Sequence, residues 1–183
     1  MTLTNQNIEA LLVLCQKKNQ LAQLEVYRRY QYAMFNTAMR IVKDTAEAED
    51  VLQESFLTAF TKLDTFKGDA TFGSWLKRIV TNNSIVQYRK NVRFSNVPVE
   101  EIPDDIDEEI VSIASDDYSQ TKVNEVLNCL NKLKDNYQQV LSLHLIEGYD
   151  YEEICDIMQI SYANCRTMIS RAKESLRKNL QHA

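Results

Sequence analysis

The chain holds only three glycines and two prolines among its 183 residues. These residues break helices and shape tight turns, so their scarcity argues against turn-rich sheet folds and leaves long helices as the natural element. No stretch approaches the roughly 20 uninterrupted apolar residues of a membrane span. The start Met1-Thr2-Leu3-Thr4-Asn5-Gln6 lacks the basic residues of a secretory signal, so a cytoplasmic protein without membrane insertion is expected. The four cysteines, Cys15, Cys129, Cys155 and Cys165, form no C-x-x-C pair, and only His144 and His182 are present to complete a metal set. That argues against a zinc site. Cys155 and Cys165 fall on apolar helical stripes and are expected in the core. His144 sits among Leu141, Leu143 and Leu145 with no nucleophile motif beside it, and is read as structural or surface. No paired carboxylates, metal ligands or activated nucleophile appear, so no catalytic residue, metal or cofactor is expected and the chain is not read as an enzyme.

What the chain does hold is 44% hydrophobic residues, recurring with a period near 3.6. At this length it can build one ordinary domain or two small ones. The expected fold is all-α, two small helical domains with no sheet.

Net charge is −5, yet the charges are segregated. Val97 to Ser119 holds nine acids, no base and both prolines, Pro98 and Pro103; the rest of the chain is +4. An acid run with prolines interrupts helices and marks a linker. The domains are therefore placed at 1–96 and 120–183, joined by an acidic segment at 97–119 read as a self-repelling spacer. Lys62 to Arg93 carries seven bases against two acids, and Ser161 to Ala183 five against one. Clustered bases matter more for phosphate binding than the total charge, so −5 does not exclude nucleic acid.

The run Ala48-Glu49-Asp50-Val51-Leu52-Gln53-Glu54-Ser55-Phe56 separates into two faces when wound as a helix. Leu52, Phe56, Ala59, Phe60 and Leu63 form the apolar stripe, and Asp50, Gln53, Glu54 and Leu57 lie opposite, free for a partner. Asp44 and Glu47 have capping-box spacing at its start. Further on, Phe72, Trp75, Leu76 and Ile79 share one side of a second helix. Arg78, Asn82, Ile85 and Arg89 fall in a narrow arc beside them, a row suited to phosphates and base edges.

Near the C-terminus, Val123, Val126, Leu127, Leu130 and Leu133 are expected to start a second core, followed by Val140, Leu141 and Leu145, with Gly148 ending that helix. Asp150 and Glu153 make another box, Tyr151, Ile154, Cys155 and Met158 a stripe, and Gln159-Ile160-Ser161 a turn into a last helix. This is helix-turn-helix spacing. Cys165, Met168, Ile169, Ala172 and Leu176 face inward, leaving Arg166, Thr167, Ser170 and Arg171 where a major groove would lie.

Residues 20 to 92 resemble the promoter-reading domain of bacterial sigma factors of the extracytoplasmic-function group, which carry an A-E-D-x-x-Q-[DE]-x-F helix and then W-L-x-x-I-x-x-N, here Trp75-Leu76-Lys77-Arg78-Ile79-Val80-Thr81-Asn82. Tyr151-Glu152-Glu153-Ile154 through Ser170-Arg171-Ala172-Lys173 resembles the minus-thirty-five-binding domain of the same proteins. The resemblance implies a factor that binds core RNA polymerase and promoter DNA, melts the promoter and starts transcription, often restrained by an anti-sigma protein. It implies that Asp50, Gln53, Glu54, Phe56 and Leu57 dock the coiled coil of the largest polymerase subunit. Phe66, Gly68, Asp69 and Ala70 would hold a base flipped from the minus-ten element, with Arg78, Asn82 and Arg89 on the adjoining DNA. Departures are Val86 where Asp or Asn is common, Cys155 for alanine, Gln159 at the turn glycine, and Ala163-Asn164-Cys165 for Gly-Thr-Val. The alternative is an autonomous helix-turn-helix regulator that binds duplex DNA without polymerase.

Overall fold

The computed structural model describes residues 3–94 and 117–181, with side chains for 3–92 and 122–181. Two compact units divide between Phe94 and Ser95, and no strand occurs among the described residues. Residues 97–116 of the acidic segment, with Pro98 and Pro103, lie outside the described residues, as do Met1, Thr2, His182 and Ala183.

The first unit contains α1 (Ile8–Gln16), α2 (Gln20–Val42), α3 (Thr45–Thr61) and α4 (Phe72–Phe94), with short 3-10 turns at Leu3–Asn5 and Leu63–Thr65. Asn7, Asn19 and Asp44 begin the first three helices, and each side chain accepts a hydrogen bond from the amide three residues on. Those bonds satisfy amides that the helix itself leaves unpaired. The helices α2, α3 and α4 pack against one another, and α1 lies on α2. Leu11, Val26, Ala38, Leu52, Phe56, Leu76 and Val80 are among the buried core. With glycine scarce, Lys18 and Lys43 take the left-handed conformation after α1 and α2, both at φ 59°. Gly73 is placed where a Cβ would come within 3.0 Å of the Tyr30 ring, so glycine permits the close approach of α4 to α2. Arg29 donates to the carbonyls of Leu3, Thr4 and Gln6 and holds the first turn onto α2.

The second unit contains α5 (Asp117–Asn131), α6 (Asp135–Leu141), a π turn at Ser142–Ile146, α7 (Tyr151–Met158) and α8 (Tyr162–Gln181). Helix α5 thus begins inside the stretch read as linker. Helix α8 packs on α5, α6 and α7, and every residue from Gln138 to Leu143 is buried.

Three packing expectations need correction. Val123 and Val126 are exposed, at 51% and 42%, and the core begins at Cys129, Leu130 and Leu133, where α5 meets α6 and α8. Leu145 is exposed and Leu143 is buried instead. The wider π turn rotates the chain there, so the i, i+4 phase from Leu141 does not carry through. On α7 the buried side centres on Ile154 and Ile157, which leaves Tyr151, Cys155 and Met158 half-buried.

Gly148 ends the π turn at φ 77°, and the Tyr149 amide reaches back to the Leu143 carbonyl at 3.0 Å. No helix among the described residues is long and apolar enough to cross a membrane.

Candidate functional site

Helix α3 carries the first candidate surface. Ala48, Val51, Leu52, Ser55, Phe56 and Ala59 are buried, while Glu49, Asp50, Gln53, Glu54 and Leu57 are exposed on the other side. Leu57 is 68% exposed beside two carboxylates and an amide. Phe56, placed among the docking residues by resemblance, lies in the core at 3% exposure, its ring 4.8 Å from Tyr27 and 6.0 Å from Phe60. Buried there, it packs the helix onto the core and presents no surface to a partner.

Three polar ties fix the helix from behind or at its start. The Asp44 carboxylate accepts from the Glu47 amide at 2.9 Å. Glu47 does not close the expected box; its carboxylate accepts from Asn91 Nδ2 on α4 at 2.6 and 2.5 Å. Asn83 Nδ2, also on α4, donates to the fully buried Ser55 hydroxyl at 3.0 Å. Local spacing marks neither asparagine, because the partners lie 44 and 28 residues away in sequence.

The second surface joins the loop before α4 to that helix. Phe66 is half-buried, with its ring 5.3 Å from Trp75 and 5.9 Å from Phe72, so an aromatic cluster floors the loop. Gly68 sits at φ 80° with nothing within 4 Å of an added Cβ, and Lys67, Asp69 and Ala70 are exposed. Thr71 starts the helix, its hydroxyl accepting from the Ser74 amide at 3.2 Å. Along α4, Asn82 is exposed and Arg78 and Arg89 are half-buried. Ile85, expected in the same row, is buried at 3%. The outermost line is therefore Asn82, Val86 and Lys90, spaced four apart, with the two arginines to one side.

The third surface is the helix pair α7–α8. Asp150 and Glu153 form both halves of a capping box, at 2.8 and 3.0 Å. Gln159 ends α7 in the left-handed region, at φ 50° and ψ 48°, and its side-chain amide donates to the Asp156 carbonyl at 2.6 Å. Cys165, Ile169, Ala172 and Leu176 are buried against the rest of the unit. Burial pushes the Cys165 thiol up to about 11, with the neighbouring Cys155 thiol adding to the rise; an uncharged thiol there packs as a small apolar group. Arg166, Thr167, Ser170 and Arg171 are exposed. The Thr167 hydroxyl donates to the Ala163 carbonyl at 2.9 Å, which leaves its methyl for contact with a partner. His144 is half-buried, its ring 5.2 Å from Tyr151.

A family model for Sigma-70 region 2 matches residues 26–94, and one for Sigma-70 region 4 matches residues 124–176. The chain is 31% identical over 164 residues to the RNA polymerase sigma-H factor of Pseudomonas aeruginosa, covering 84% of this chain and 83% of that protein. It is 28% identical over 182 residues to the ECF RNA polymerase sigma factor SigW of Bacillus subtilis, covering 90% and 92%. In fold it resembles the sigma factor RpoE of Bartonella quintana, solved with the anti-sigma factor NepR: the TM-score is 0.58 and the identity 22%, covering 86% of this chain and 95% of that one. A similar likeness holds to CnrH, solved with the cytosolic domain of CnrY, at a TM-score of 0.54 and 22% identity over 94% and 96%. With both regions present in order and a relative above 30% identity along most of its length, this chain belongs to the sigma-70 family of RNA polymerase sigma factors, in its extracytoplasmic-function group.

Proposed function

We propose that the chain binds core RNA polymerase and carries it to promoters, reading two separate DNA elements with its two units. The observation that carries this reading is the exposed Asp50, Gln53, Glu54 and Leu57 face on a helix whose opposite side is locked into the core, in the same chain as a helix-turn-helix with outward arginines. That face docks the coiled coil of the largest polymerase subunit. The loop at Phe66, Gly68, Asp69 and Ala70, over its aromatic floor, takes a base flipped from the minus-ten element, while Arg78, Asn82 and Arg89 contact the adjoining strand. Unstacking a base costs a few kcal/mol, and the open Gly68 backbone leaves room for one. Arg166, Thr167, Ser170 and Arg171 read the minus-thirty-five duplex. The chain supplies positioning and melting; bond formation belongs to the polymerase, in the cytoplasm. An anti-sigma protein, of the kind bound to the structural neighbours, is a further partner.

The test mixes the full chain with core polymerase and promoter fragments and follows complex formation and specific initiation. Asp50→Ala or Gln53→Ala should weaken core binding while leaving helix content intact. Arg171→Ala should lower upstream affinity and reduce the salt slope by about one unit. Tight duplex binding without polymerase, and no binding to core, would instead identify an autonomous regulator.

A further inference from the structure

Helix α8 opens with Tyr162, Ala163 and Asn164, all exposed, before the first of the four residues assigned to DNA. In helix-turn-helix docking the N-terminal residues of the second helix reach the base edges. Of the three, Asn164 alone has a side chain able to make two hydrogen bonds with one base edge. Its backbone amide is taken by Ser161 Oγ at 3.3 Å, which fixes the first turn and leaves the carboxamide outside the cap. Wound at 100° per residue, Asn164, Thr167 and Arg171 follow at i, i+3 and i+7 along one exposed line. The buried Cys165 and Ile169 hold that line outward.

We infer that Asn164 is a specificity-determining residue that reads an adenine of the upstream element, its side-chain amide nitrogen donating to N7 and its Oδ1 accepting from the N6 amine. A carboxamide matches the acceptor–donor pair that adenine alone shows in the major groove. Guanine offers two acceptors there and cytosine a single donor, so the preference follows from the chemistry of the side chain. Asn164 therefore sets the preference of this chain at one base pair. The inference rests on the reading of α8 as the helix that enters the groove.

The experiment uses polymerase holoenzyme made with the full chain and a pool of promoter duplexes randomised over the upstream element. The wild type should enrich an adenine at one position. Asn164→Ala should keep the rest of the element and lose that preference by roughly tenfold, the size of one bidentate contact. Replacing the enriched adenine with 7-deazaadenine should weaken binding of the wild type and leave Asn164→Ala unaffected. An unchanged element for Asn164→Ala overturns the inference, and so does a lost preference for any base other than adenine. Arg171→Ala separates the two failures: if it weakens upstream binding while Asn164→Ala changes nothing, only the role of Asn164 falls, and if neither variant changes anything, the assignment of α8 falls with it.

Discussion

Phe56 and Leu57 are neighbours in the chain with opposite positions, so truncating each to alanine separates fold from docking. Phe56 is 3% exposed and packs on Tyr27 and Phe60. Removing its ring leaves a cavity between α2 and α3 and should cost about 3–5 kcal/mol, a large part of the roughly 5–15 kcal/mol that holds a domain folded. Leu57 is 68% exposed, and alanine is as good a helix former, so Leu57→Ala should change stability by less than about 0.5 kcal/mol. Full burial of a leucine is worth about 1.5–3 kcal/mol. The two-thirds still exposed is therefore worth about 1–2 kcal/mol when a partner covers it, or about a five- to thirtyfold loss in core affinity on truncation. Thermal melts by circular dichroism give the first quantity and equilibrium binding of labelled protein to core polymerase the second. Leu57→Ala that melts as early as Phe56→Ala, or that binds core as tightly as the wild type, refutes the assignment of this face.

Asn83→Ala should destabilise the first unit by about 1–3 kcal/mol in denaturant titrations, because it strips the donor from the buried Ser55 hydroxyl. Gly148→Ala should cost the second unit about 1–2 kcal/mol from its left-handed backbone alone, since nothing lies within 4 Å of the new Cβ; Gly148→Asn, which tolerates that conformation, should recover part of the loss in the same melts. Burial raises the Cys15 and Cys165 thiols from 9.0 to about 11. Folding holds these protons more tightly than the unfolded chain does, so their contribution to stability is whole below pH 9 and is lost as pH rises from 9 towards 11. Alkylation followed by mass spectrometry at pH 8 should leave both unlabelled until the protein unfolds.

Much of the site was legible because helix periodicity sorts residues before any contact is known. The α3 faces, the box at Asp150, the left-handed Gly148, and the outward Arg166, Thr167, Ser170 and Arg171 follow from local spacing and cap chemistry, while the left-handed Gln159 follows from its place at the turn glycine of the resembled family. The misreadings have non-local causes. Nothing within four residues of Glu47 indicates that Asn91 will take its carboxylate, and nothing in the alternation around Leu141 signals a π turn. Lys18 and Lys43 in the left-handed region carry no glycine to announce them. Val123 and Val126 have correct core spacing on a helix whose neighbours meet only its later turns.

The same contrast bears on how an exposed polar face could serve the docking proposed for it. A docking helix that had to order on contact would lose affinity to conformational entropy. Here α3 is held from its buried side and its start: Asp44 closes its first turn, Asn91 and Asn83 tie it to α4, and Val51, Leu52 and Phe56 fill the core beneath. These ties leave Asp50, Gln53, Glu54 and Leu57 exposed on the opposite side. The loop at Phe66 is built the other way, with a packed aromatic cluster and a glycine where an added Cβ would meet nothing within 4 Å. The ordered α3 face suits the rigid partner proposed for it, and the loop has the room that the proposed flipped base would need.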